Sequence, residues 1–177
     1  MSGTATMTTP AAAAASGTDA VAIRPAGADE APILFQLITD NLEIGHLLPR
    51  PLGEVVLHVP RFLVAAGPDG IAGCAELAQL GPRVAEVRSL VVAAAHRRHG
   101  IGRLLLNAIV ARAREQGYPR LCAFTHDPRP FIRIGFSIVP HQWVPEKIAT
   151  DCHDCVWFRR CRQYAVILDL QPKAGRS

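Results

Sequence analysis

The chain has 177 residues, 49% of them hydrophobic, which is enough for one compact domain with a core and short for two. Its 19 basic residues, of which only Lys147 and Lys173 are lysine, stand against 15 acids, and the formal charge of +4 favours an anionic ligand. The arginines are spread along the chain without interleaved aromatics, which argues against nucleic acid, and no apolar run approaches the roughly 18 to 20 residues that cross a bilayer.

Residues 1–20 are small and polar apart from an alanine run and hold no Lys or Arg for a signal peptide, so a tail is expected there. Five cysteines without such a signal point to a reducing, cytoplasmic setting. VAIRPA (21–26) alternates as a strand and stops at Pro25. ADEAPILFQLITDN then places Ile33, Leu37 and Ile38 at helical spacing. Pro51, Gly53 and Pro60 punctuate the next stretch, which reads as a short, weak helix over 51–60. Two β-rich runs flank Pro68-Asp69-Gly70, the composition of a hairpin turn. A third strand, VAEVRSLVV, follows; simple alternation puts Glu86, Arg88 and Leu90 on one face and Val87, Ser89 and Val91 on the other. GRLLLNAIVARAREQG is an amphipathic helix with Ile101, Leu105, Ala108, Ile109 and Ala113 on one side and Gly117 as its stop. PRLCAFT is a strand, PRPFIRIGF a short helical turn, and YAVILDL (164–170) a last strand. Hairpin strands followed by a β-α-β unit define a mixed α/β domain over 21–170, with a second tail at 171–177.

Between the third strand and the long helix lies Arg97-Arg98-His99-Gly100-Ile101-Gly102. Glycines at 100 and 102 allow the main chain to approach a ligand closely, and the N–H groups of the loop and first helical turn can converge on an anion such as a pyrophosphate. Two glycines can also simply make a tight turn before a helix. The flanking basic residues and the preceding strand favour phosphate.

This loop resembles the signature of the GNAT superfamily of acetyl-CoA-dependent N-acetyltransferases: Arg or Gln, two residues, Gly, one residue, then Gly or Ala. Within that superfamily the chain is similar to the short single-domain N-acetylglutamate synthases. It shares LLPR (47–50), GCAEL (73–77), AEVRSL (85–90), GIGRLL (100–105), and P-E-Lys147-I followed by DCxxCxxFxxC and a closing strand. The resemblance spans residues 21–170. It implies the GNAT fold, a central mixed α/β sheet with splayed strands flanked by helices. It also implies a β-bulge in the strand before the loop, whose main chain at Leu90, Val91 and Val92 holds the pantetheine arm and polarises the thioester. Acetyl-CoA would be bound by those residues together with Arg97, Arg98, His99, Gly100, Ile101, Gly102 and Arg103. Arg50 and Arg88 would read the carboxylates of L-glutamate, with Cys74 lining the pocket and Lys147 as a further cation, because a dianionic acceptor requires at least two positive charges.

The implied reaction is direct acetyl transfer to an amino group, in the direction of N-acetylglutamate for arginine synthesis. Glu86 is the best-placed carboxylate for a general base, or else it is a partner for Arg88. Many members of the superfamily that the chain resembles carry a tyrosine where it has Phe131, so no phenolic acid is expected; Thr125, His126 or water remain to protonate the thiolate. Arg50 is otherwise a solvated loop charge. Other readings are a GNAT enzyme for a different amine and a non-catalytic acyl-CoA- or metal-sensing module, with small molecules as partners and a homodimer left open.

Cys152, Cys155 and Cys161 follow the pattern C-x2-C-x5-C, with His141 and His153 nearby. Free or redox-sensitive thiols, a structural zinc and a disulfide all fit that pattern, although three thiols are one ligand short of the usual four.

Overall fold

The computed structural model describes residues 21–45, 47–153, 155 and 157–171. The tail expected over 1–20, and all but the first residue of the one expected over 171–177, lie outside them.

The first strand, β1 (Ala22–Pro25), ends at its proline. Glu30 then organises the turn into the first helix. Its carboxylate accepts from the Gly27 N–H at 2.7 Å and bidentately from Arg24 at 2.6 and 2.8 Å. Helix α1 (Ala31–Thr39) buries Ala31, Leu34 and Ile38, whereas Ile33 is 51% exposed. The expected face is therefore rotated. The segment is apolar nearly all round, so periodicity could not select a side, and packing against Val55, Val59 and Phe62 did.

A single turn, α2 (Leu42–Gly45), precedes α3 (Leu52–His58), which continues as a 3-10 turn over Val59–Arg61. The hairpin appears where Pro68-Asp69-Gly70 placed it. Strand β2 (Phe62–Gly67) turns into β3 (Gly70–Gln79), and Gly70 takes φ +110°, which a side chain would resist. Strand β4 (Val84–Val92) leads to α4 (Ile101–Glu115), which buries Ile101, Leu105, Leu106, Ile109, Val110 and Ala113. Gly117 leaves that helix at φ +77°. Then come β5 (Arg120–Thr125), α5 (Arg129–Ile132), a three-residue strand β6 (Ser137–Val139) that alternation did not reveal, the short α6 (Pro145–Lys147) with a π-helical turn over Ile148–Cys152, and β7 (Tyr164–Asp169). No helix among the described residues is long and apolar enough to cross a membrane.

Among the described residues seven strands form one sheet in the order β1-β2-β3-β4-β5-β7-β6, with every neighbour antiparallel except β4 and β5. The mixed α/β architecture is the one expected. Helix α4 packs with Leu63, Ala75, Val87 and Leu121 on one face. On the other face, α1 and α3 cover the β2–β4 side, and Val144 packs with Val84, Cys122 and Ile167 on the β5–β7 side.

Two irregularities create room for chemistry. The parallel ladder between β4 and β5 runs only from Val84 to Glu86, pairing with Arg120 to Cys122, and beyond it the strands part. Across β3 and β4, Cys74 faces Val91 while Glu76 faces Arg88, so Ser89 and Leu90 together oppose the single residue Ala75. This is a β-bulge, and Ser89 sits in it at φ +47°. The extra residue reverses the alternation. Leu90 turns to the α4 face, away from Glu86 and Arg88, while Val91 joins the opposite cluster with Cys74.

Candidate active site

The splay and the bulge leave the last third of β4 with a main chain no longer laddered to β5. Leu90, Val91 and Val92 are the residues beyond the bulge, and the loop that follows carries the chain straight to the N-terminus of α4. Arg98 at φ +65° and Gly100 at φ +80° coil that loop through the left-handed region. Gly100 caps α4, with its carbonyl accepting from Arg103 N at 3.0 Å and Leu104 N at 3.1 Å. The N–H groups at the start of this 15-residue helix have no partners from a preceding turn, and with the helix dipole they suit an anion.

Arg98, His99 and Arg103 are exposed around this opening, and Ile101 is buried beneath it. Arg97 is engaged elsewhere. Its guanidinium donates to Asn41 Oδ1 and, at 3.2 Å, to the Val92 carbonyl, so it ties the loop to β4 and to the start of α2.

On the face opposite α4, the sheet carries two linked clusters of charge. The first surrounds Arg50. Its Nε donates to Glu54 at 3.0 Å, Nη1 to Glu76 at 2.5 Å and Ser89 Oγ at 3.0 Å, and Nη2 to Glu54 at 2.8 Å and His58 Nδ1 at 2.9 Å. A guanidinium has five N–H donors, and these five contacts use them all. Although burial opposes its charge, the hydrogen bond and charge of Glu76 hold the Arg50 pKa above its ordinary value. Burial pushes His58 down, so the ring is neutral at pH 7 and its Nδ1 is free to accept from Arg50. Glu76 is fully buried, and its Oε1 has no hydrogen-bond partner.

The second cluster joins β4 to α6. Glu86, almost wholly buried, accepts from Arg88 Nε at 2.6 Å and from Lys147 Nζ at 2.7 and 3.0 Å. Arg88 Nη2 and Lys147 Nζ then converge on one oxygen of Asp151, the lysine at 2.7 Å. Arg88 leaves Nη1 without a hydrogen bond to a described residue, and burial is again outweighed by Glu86 in setting its raised pKa. The sequence reading included Glu86, Arg88 and Lys147 but missed Glu76, Ser89, His58 and Asp151. Glu76 did leave a signal, since a carboxylate in the middle of the apolar strand GCAEL demands a buried cation.

Cys74 is buried beside Arg50, and desolvation pushes its thiol up to about 12, so it stays protonated and donates to the Ser89 carbonyl at 3.6 Å. His126 is exposed at the end of β5. Thr125 Oγ1 is turned to Asp127, accepting from its N–H at 3.1 Å. Phe131 is buried edge-on against Phe136 at 5.4 Å.

Of the three readings of the cysteine cluster, the zinc site finds no support among the described residues. Cys152 ends the π-helical turn, Cys155 is half-buried after it, and Cys161 is exposed beyond the Phe158–Arg160 turn with Gln163 as its neighbour. Among the described residues no group of three His, Cys, Asp or Glu side chains is placed to hold a metal. All five cysteines are free thiols, and partial burial raises the pKa of Cys152.

The model of the acetyltransferase (GNAT) family matches residues 41–136, from the residue before α2 to the residue before β6. An uncharacterised N-acetyltransferase of Chlorobaculum tepidum is 31% identical over 126 residues, which is 71% of this chain and 81% of that protein. An amino-acid acetyltransferase of Mycobacterium tuberculosis is 30% identical over 65% of this chain and 67% of its own length. Among solved structures, N-acetylglutamate synthase from Neisseria gonorrhoeae, complexed with coenzyme A and N-acetyl-glutamate, superimposes with a TM-score of 0.76 at 25% identity. That match covers 86% of this chain and 35% of the synthase.

Proposed function

The chain belongs to the acetyltransferase (GNAT) family of acetyl-CoA-dependent N-acetyltransferases, and from that premise we propose that its acceptor is the amino group of an amino acid, L-glutamate first among the candidates. Residues 21–170 form the catalytic domain in this reading. One observation carries it: Arg88 and Lys147 converge on a single carboxylate oxygen, that of Asp151, beside the splay of β4 and β5. Two cations aimed at one carboxylate constitute a carboxylate-reading pair, and an amino acid presents the same group.

Acetyl-CoA is the acetyl donor. Its pyrophosphate lies on the loop Arg97–Gly102 and the first turn of α4, where Arg98 and Arg103 add positive charge and His99 a ring N–H. Its pantetheine arm follows the main chain of Leu90, Val91 and Val92. The amine lone pair attacks the thioester carbonyl carbon; the new C–N bond forms and the C–S bond breaks with its electron pair on sulfur. Glu86 takes one ammonium proton through water before the attack, and the second, released from the nitrogen as the C–S bond breaks, reaches the thiolate through His126. Arg88 and Lys147 hold the acceptor carboxylate in place of Asp151.

A second reading, an amino acid with a single carboxylate, is favoured by Arg50, whose five donors are all engaged within the protein. CoA-thiol release with glutamate, glutamine, aspartate and neutral amino acids distinguishes the two. Turnover that is best with glutamate, and an acceptor KM raised at least about tenfold by Arg88→Ala, is the expected result. No turnover with any amino acid would overturn the proposal.

A further inference from the structure

Ser89 adopts a backbone conformation that an L-residue resists, at a point where the direction of the following three residues decides how the acetyl donor is held. Something in the fold must stabilise it there. Both of its polar ends are gripped from one face of the sheet. Its hydroxyl accepts from Arg50 Nη1 at 3.0 Å, and its carbonyl accepts from the Cys74 thiol at 3.6 Å. Cys74 and Glu76 stand on either side of Ala75, the one residue opposite the bulged pair. Glu76 in turn holds the same Arg50 Nη1 at 2.5 Å, with His58 Nδ1 at 3.3 Å and Arg61 at 3.9 Å from its other oxygen.

We propose that Cys74, Glu76 and Arg50 form a clamp that keeps Ser89 in its left-handed bulge, and that they serve acetyl transfer as positioning residues by fixing the direction of the Leu90–Val92 main chain. Three features of the cluster follow from this role. Arg50 has every donor committed, so it is built to hold the protein and not a substrate. Glu76 is fully buried, with Oε2 on Arg50 and Oε1 approached only at longer range by His58 and Arg61, so it lies out of reach of an exposed acceptor and fits an anchor for Arg50. The Cys74 thiol is kept protonated, the form that can donate to a carbonyl.

The inference rests on acetyl-CoA as donor and is independent of the acceptor. Its test is a double-mutant cycle on the full chain, read as the dissociation constants of acetyl-CoA and of CoA by calorimetry. Glu76→Gln should weaken acetyl-CoA and CoA alike by about tenfold, because both carry the pantetheine arm that follows the Leu90–Val92 main chain. In a Ser89→Gly background the same change should cost less than about threefold, since glycine holds a positive φ without a clamp. Arg50→Lys should behave alike. Cys74→Ala removes no buried charge and keeps the cycle readable if Glu76→Gln does not fold; it should show a smaller loss of the same pattern. Equal losses in the two backgrounds would overturn the clamp, as would an Arg50→Lys variant that raises the acceptor KM with unchanged acetyl-CoA affinity. A wild-type protein that binds acetyl-CoA yet acetylates no amino acid would overturn the acceptor reading and leave the clamp to be judged by the cycle.

Discussion

Gly73→Ala should loosen the sheet at the point where the donor main chain begins. Gly73 pairs with Val92 across β3 and β4. A Cβ there would lie 2.7 Å from the Val91 carbonyl oxygen, 3.2 Å from Leu105 Cδ1 and 3.4 Å from Val92 Cα. Ordinary contact begins at 3.4 Å, so the carbonyl must retreat by about 0.7 Å in a close-packed environment. Two of the three neighbours are backbone, and Leu105 is fully buried, so no flexible side chain can swing aside. Overpacking of this kind costs about 1–3 kcal/mol. Displacing the Val91–Val92 main chain should also weaken acetyl-CoA by about tenfold or more, because misplacements of this size are felt strongly at reacting geometry. Urea unfolding and calorimetric titration with acetyl-CoA measure the two effects. Gly53→Ala is the matched control: nothing lies within 4 Å of its Cβ, it sits in α3, and it should gain about 0.5–1 kcal/mol. A Gly73→Ala protein with wild-type stability and wild-type acetyl-CoA affinity would refute the reasoning.

Other perturbations test other parts of the structure. Arg50→Met leaves Glu76 buried without its main partner and should cost about 3–5 kcal/mol by urea unfolding; a loss under about 1 kcal/mol would show that the pair is dispensable. Hydrogen bonding from Arg24 lowers the Glu30 pKa from 4.5 to about 2, so its contribution is present above pH 4.5 and is lost as the pH falls towards 2. The difference in urea midpoint between wild type and Glu30→Gln should therefore close over that interval, and a constant gap would contradict the assignment. In thiol titration of the native protein, Cys161 should react first, whereas Cys74 and Cys122, both buried and both pushed up by desolvation, should react only after unfolding. Rapid native labelling of Cys74 would mean that the clamp region opens.

Local signals explain which elements could be read directly. Pro68-Asp69-Gly70 specifies a turn within three residues, and Gly100-Ile101-Gly102 followed by i, i+4 apolar spacing specifies a loop entering a helix; both appear where expected. Their physical causes are backbone conformation and one-sided hydrophobicity, which are encoded residue by residue. The face of α1 was not readable, because Ile33, Leu34, Phe35, Leu37 and Ile38 offer no polar side to exclude. The cysteine pattern could be recognised by spacing, but spacing along the chain says nothing of whether three thiols meet in space.

The sequence by itself determined most of the order of helices and strands and the glycine loop before α4, because each rests on a local pattern, whereas Arg88 and Lys147 were singled out by resemblance and Glu86 by its place on the central strand. The tertiary structure alone decided what those residues face. One extra residue opposite Ala75 turns Leu90 to the other side of β4 and places Ser89 within reach of Arg50, 39 residues away. Register between strands is a property of two segments at once, and neither VAEVRSLVV nor GCAEL carries it alone. The same is true of Arg50: its charge is plain in the sequence, and only the folded chain brings Glu54, His58, Glu76 and Ser89 together to occupy all of its donors.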